Sequence, residues 1–232
     1  MADIGQVIDS LRHGVIVSCQ ALEHEPMYGW HHMAAMAVAA KQGGAVGIRA
    51  NTPADIAAIK QSCSLPIMGI YKQEYPDSDV FITPTLHEAK QVADAGASLI
   101  AVDATLRRRP GGQTLQQLMQ AIKKLDPGIG IVADVSTFEE GVNAMELGAD
   151  LVSTTLSGYT PDSVYREEPD FQLIRQLAAL GGTPVVAEGR IWTIEDCRQC
   201  MEAGAYAVVI GTAITRPREI TGRFVRAIQR ER

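Results

Sequence analysis

Eight short apolar runs recur along the chain, with helical patterns between them. The runs cover residues 14–20, 45–51, 66–72, 98–105, 129–136, 150–158, 184–190 and 205–213. They are rich in Val and Ile and mostly lack apolar–polar alternation, so they read as parallel strands covered on both faces. The intervals hold stretches such as HEAKQVADAG, TLQQLMQAIKKL, TFEEGVNAMELG and TIEDCRQCMEAG. Each opens near a threonine, and three carry an early acidic residue, as helix starts prefer.

A repeat is visible within this alternation. Four helical patterns end in Gly-Ala and run into a strand, at Gly44, Gly96, Gly148 and Gly204, spaced by 52, 52 and 56 residues. Glycine suits the position after a helix, where the backbone usually turns to positive φ. Each spacing spans two strand–helix units. Eight such units predict a closed α/β barrel, a single-domain (β/α)₈ TIM barrel over residues 1–232, with a doubly wound open sheet as the structural alternative. Two irregular segments, 72–85 and 157–170, each follow a strand and are long enough to act as lids or binding loops.

Composition narrows the class. The chain has 232 residues, 46% of them hydrophobic and 21% charged, which suits one sizeable core and not a disordered segment. A net charge of −6 argues against a nucleic-acid or membrane-surface binder, while a few local donors would still hold a small anion. No basic-then-apolar leader opens the chain, and no apolar run approaches the roughly 18 residues of a membrane span. Four scattered cysteines, two of them in CRQC (197–200), have no second pair and no histidine pair nearby, and read as reduced thiols of a cytoplasmic protein.

The runs end in polar groups. Gln20 closes the first, Arg49 and Asn51 the second, Lys72 the third, Asp103 and Thr105 the fourth, and Asp134 and Ser136 the fifth. Thr154 and Thr155 follow in the sixth, Glu188 and Arg190 in the seventh, Gly211 and Thr212 in the eighth. In a barrel these ends share one mouth, where active sites lie. Six charged ends there read as a site, although Asp103 and Asp134 also suit loop-tying or capping. Lys72 and Glu188 form the candidate acid/base pair, since a desolvated lysine near Arg49 would lose basicity. A plain salt bridge between them is the other reading. No histidine falls on a strand end and no cluster has metal-ligand spacing, so neither metal nor cofactor is expected. Gly189 and Gly211, in the loops after the last two strands, are candidate phosphate donors with Thr212.

Taken as an ordered set, VIVSCQA (15–21), GIRAN (47–51), PIMGIYKQEY (66–75), FITPT (81–85), ADVST (133–137), AEGRI (187–191) and GTAITRP (211–217) resemble the N-acetylmannosamine-6-phosphate 2-epimerases of bacterial sialic-acid breakdown. The resemblance implies a metal-independent barrel interconverting N-acetylmannosamine 6-phosphate and N-acetylglucosamine 6-phosphate. It implies catalytic roles for Lys72 and Glu188, sugar contacts for Gln20, Arg49, Asp134 and Arg216, and phosphate contacts for Gly189, Arg190, Gly211 and Thr212. Thr155 joins the substrate-binding set from its strand-end position. Arg216 comes from the resemblance alone. The competing readings are a Schiff-base aldolase and a non-catalytic sugar-phosphate-binding module. The expected partner is a small amino-sugar phosphate, and an exposed apolar helix face would support a homodimer.

Overall fold

The structure is a computed structural model that describes residues 3–229. Eight strands form the predicted ring: β1 (Val15–Cys19), β2 (Gly47–Asn51), β3 (Ile67–Ile70), β4 (Leu99–Asp103), β5 (Gly130–Asp134), β6 (Leu151–Ser153), β7 (Val185–Glu188) and β8 (Ala207–Ile210). Each pairs in parallel with the next, and β8 returns to β1, closing the barrel. This decides against the open sheet. Most strands are shorter than the apolar runs that foretold them. β3 stops at Ile70, two residues before Lys72, and β6 keeps only three residues before the chain turns.

Helices α2 (Trp30–Gln42), α3 (Pro53–Ser62), α4 (Leu86–Asp94), α5 (Leu115–Leu125), α6 (Phe138–Glu146), α7 (Phe171–Leu180) and α8 (Ile194–Glu202) alternate with the strands. Thr85, Thr114, Thr137 and Thr193 cap α4, α5, α6 and α8, each in a reciprocal capping box with the residue three positions on. Gly44, Gly96, Gly148 and Gly204 all take positive φ directly after the helices they end, which explains the repeat.

The strand period of two builds the interior. Along each strand one set of alternate residues faces the helices and the other faces the barrel axis. The inward set is apolar where the strands begin: Ile16, Met68, Leu99, Val132, Leu151 and Val186 form one cluster. The same set turns polar where the strands end, at Arg49, Asp103, Asp134 and Glu188. A helix the pattern did not reveal, α1 (Ile4–Leu11), closes the apolar end, with Leu11 buried and Ile4, Val7 and Ile8 packed on that cluster. Gly130 makes room for it, since a Cβ there would lie 2.5 Å from Ile4 Cδ1.

After β8 come two further helices, the four-residue α9 (Thr212–Thr215) and α10 (Pro217–Gln229). No residue of α10 is buried, and Phe224 and Ile228 are exposed. Arg223 of α10 sits over the Trp192 ring at 4.8 Å. No helix among the described residues is long and apolar enough to cross a membrane.

Candidate active site

Arg49 organises the floor of the polar mouth. It faces the axis near the end of β2 and is 1% exposed. Its Nη1 and Nη2 both donate to the Asp134 carboxylate, the former at 3.1 Å, and Nη1 lies 3.0 Å from Glu188 Oε2. Burial works against the Arg49 charge, but Asp134 and Glu188 outweigh it and raise its pKa. One guanidinium thus holds two carboxylates together. The Thr155 hydroxyl stands between them, 2.7 Å from Asp134 Oδ1 and 3.0 Å from Glu188 Oε2. Thr154 fixes the end of β7, its hydroxyl donating to the Glu188 carbonyl at 3.0 Å and accepting the Glu188 N–H at 3.1 Å.

Lys72 reaches the mouth from beyond β3. Its Nζ donates to Gln20 Oε1 at 2.9 Å, and Gln20 Nε2 donates to Ser18 Oγ at 2.8 Å. The salt-bridge reading of Lys72 and Glu188 therefore does not hold: Glu188 pairs with Arg49 and Lys72 with the Gln20 amide. Burial lowers the Lys72 ammonium to about 8, with Arg49 and Arg216 adding to the effect and Glu188 and Asp134 opposing it. Burial pushes the Glu188 carboxyl the other way, above the usual carboxylate range, despite Arg49 and Lys72. Two groups on one cavity are thus shifted toward each other, a pattern typical of acid/base sites.

That cavity, about 490 Å³, is bordered by Gln20, Arg49, Lys72, Thr155, Glu188 and Arg216, with Gly189, Arg190, Gly211 and Thr212 on its rim. Of the residues expected to serve catalysis, sugar or phosphate, all except Asp134 meet there. Asp134 is fully buried beneath Arg49, so it positions that arginine and cannot itself touch a ligand from there. Asp103 follows its alternative reading: it accepts from Thr105 and Arg107, tying its own loop. Arg190 departs from expectation too. Its guanidinium donates to the carbonyls of Ser157 at 2.6 Å and Gly158 at 3.0 Å, and lies over the rings of Tyr159 and Tyr165. Only its backbone is left to serve an anion. Arg216 also pairs with Glu25, 3.3 Å away.

Sequence reasoning did not single out Ser18, Phe81, Ile82, Tyr159 and Trp192, all on the cavity wall. Ser18 was legible as the inward residue two before Gln20. Phe81, Ile82 and Tyr159 belong to the two long loops already marked as lids. Nothing in the pattern marked Trp192. Among the described residues, no three histidines, cysteines or acids converge as a metal-binding group.

Comparison with known proteins gives a consistent answer. The family model described as "Putative N-acetylmannosamine-6-phosphate epimerase" matches residues 33–230. A protein of Caldanaerobacter subterraneus named "Putative N-acetylmannosamine-6-phosphate 2-epimerase" is 52% identical over 97% of this chain and 95% of its own. One of the same name from Listeria monocytogenes is 46% identical over the same shares. Among solved structures, the N-acetylmannosamine-6-phosphate 2-epimerase of Clostridium perfringens superposes with a TM-score of 0.92 at 46% identity, covering 95% of each chain. A match of this length, on a barrel whose mouth gathers these side chains, makes the chain a member of the N-acetylmannosamine-6-phosphate epimerase family.

Proposed function

We propose that this enzyme interconverts N-acetylmannosamine 6-phosphate and N-acetylglucosamine 6-phosphate by moving the proton on C2, without a metal. The observation that carries the reading is the pairing on one cavity wall of a lysine brought down to about 8 with a carboxyl raised by burial.

In the ring-opened sugar the C2 proton lies α to the C1 aldehyde. Neutral Lys72 takes it, and the electron pair moves onto the carbonyl oxygen as an enolate. Arg49 and the Gln20 amide lie where they would hold sugar oxygens and the developing negative charge, already oriented by Asp134 and Ser18. A proton returned to the opposite face of C2 inverts it, and Glu188, whose carboxyl burial pushes above the usual range, lines the same cavity and is the group to supply or accept that second proton. Thr155 and Arg216 complete the sugar contacts. The phosphate would rest on the backbone of Gly189, Arg190, Gly211 and Thr212, which rim the cavity. The four cysteines are free thiols, which supports the cytoplasmic expectation.

Proton NMR of the protein with N-acetylmannosamine 6-phosphate in D₂O and EDTA tests this. The expected result is N-acetylglucosamine 6-phosphate carrying deuterium at C2. Smaller fragments would favour the aldolase, and a bound but unchanged sugar would favour the binding module. Either would overturn the proposal.

A further inference from the structure

Lys72 is not held by the barrel in the way Arg49 and Glu188 are. The ladder between β2 and β3 ends at the pair Asn51 and Ile70, and that between β3 and β4 ends at Gly69 and Ile100. Above this level the strands part. Lys72 lies in the gap and is gripped there from two sides.

On the β2 side, the Lys72 N–H donates to Asn51 Oδ1 at 3.0 Å, so a side chain prolongs the ladder where the backbone has stopped. On the β4 side, residues 80–83 fold back as a wedge. Gln73 N–H donates to the Phe81 carbonyl at 3.0 Å, Lys72 and Ile82 form an antiparallel bridge, and Asp103 N–H donates to the Ile82 carbonyl at 2.9 Å. The wedge is locked by Thr83. Its N–H donates to the Tyr71 carbonyl at 3.1 Å, and its hydroxyl accepts the Tyr71 N–H at 3.1 Å. Thr83 is fully buried and adopts φ of +45°, a conformation that strains a β-branched residue. Such strain persists only where the surroundings over-determine it, and it clusters at functional positions. Glycine would relieve it, but glycine has no hydroxyl for Tyr71.

We propose that Asn51 and Thr83 are the positioning residues of Lys72, fixing the backbone on either side of it so that Nζ meets the reacting carbon at a set distance and angle. This rests on the reading of Lys72 as the base. A displacement of about 1 Å at a reacting group costs on the order of 100-fold in rate. The groups proposed to hold the substrate, Gln20, Arg49, Thr155, Arg216 and the phosphate rim, by contrast make no hydrogen bond to the side chain of either residue.

The test measures kcat and KM for epimerisation, and binding of N-acetylglucosamine 6-phosphate by calorimetry, in Thr83→Val, Thr83→Ser, Thr83→Gly, Asn51→Leu and Lys72→Met. Thr83→Val and Asn51→Leu are expected to lose about 10- to 100-fold in kcat with KM within about 3-fold, and Thr83→Ser to recover most of the rate. Thr83→Gly, whose backbone accepts this φ freely, is the variant surest to fold, and is expected to lose rate as Thr83→Val does. Wild-type kcat in Thr83→Gly, or equal losses in the serine and valine variants, would overturn the inference. So would a loss of binding that tracks the loss of kcat. Full turnover by Lys72→Met would overturn the underlying reading instead, which keeps the two failures apart.

Discussion

Lys72, half-buried, and Arg49, fully buried, are two cations within one mouth, and removing each should move stability in opposite directions. Lys72 titrates near 8 in the folded protein and near 10.5 in the unfolded chain. Between those values the unfolded chain binds more protons, so stability rises with pH across the window, and below pH 8 the full cost of burying the ammonium is present. Lys72→Met should therefore abolish turnover yet stabilise the protein at pH 7 by about 1–3 kcal/mol. Thermal unfolding at pH 7 and pH 10 checks this, since the gap to wild type should shrink at the higher pH. Arg49→Met should do the reverse. It takes away the one cation that Asp134 and Glu188 share, leaving them only the Thr155 hydroxyl, at about 3–5 kcal/mol, measurable by urea unfolding. As the proposed base, the same lysine should set the pH dependence of catalysis. Only about a tenth of it is neutral at pH 7, so kcat/KM should climb with pH and level off above about 8.

At the scale of elements, the loops decide how the mouth is finished. The loop after β6 hangs on Arg190, whose guanidinium caps two of its carbonyls and stacks on two tyrosines. Gly158 is required for this contact, because a Cβ there would lie 2.8 Å from Arg190 Nη2. Arg190→Ala should raise amide exchange across residues 157–165 and raise KM several-fold, because Tyr159 walls the cavity; hydrogen exchange and steady-state kinetics measure the two effects. This arrangement also marks the limit of what the sequence discloses. The strand ends of Arg49, Lys72, Thr155 and Glu188 were legible because period two and a shared mouth place them without further information. The side-chain direction of Arg190 was not, since a positive φ at residue 190 and two aromatic partners 31 and 25 positions away reorient it. Nor was the burial of Asp134 legible, because a strand-end carboxylate looks the same whether it faces a ligand or another side chain. The four threonine caps were readable because a capping box is local, whereas α1 was not marked as an element because its apolar residues have meaning only against the far end of the barrel.

Across the whole molecule, the barrel interior runs from hydrocarbon to ions along its axis. The apolar layer of Ile16, Met68, Leu99, Val132, Leu151 and Val186, closed by α1, fills the lower half, and the charged groups occupy the upper. An acidic chain of net charge −6 thus keeps Arg49, Lys72 and Arg216 together at the mouth, where Asp134, Glu188 and Glu25 offset them and the remaining acids lie elsewhere on the chain.

The plug formed by α1 has a kinetic consequence. Among the described residues, the lower half of the barrel is packed and the cavity lies at the polar mouth, which serves as its doorway. Incoming sugar and departing epimer must pass the same residues in turn, and neither can leave by another route while its counterpart arrives. Each epimer therefore excludes the other from the vacant protein. The forward rate should fall as product builds, in competition with substrate, and recover as a following step removes that product from the doorway.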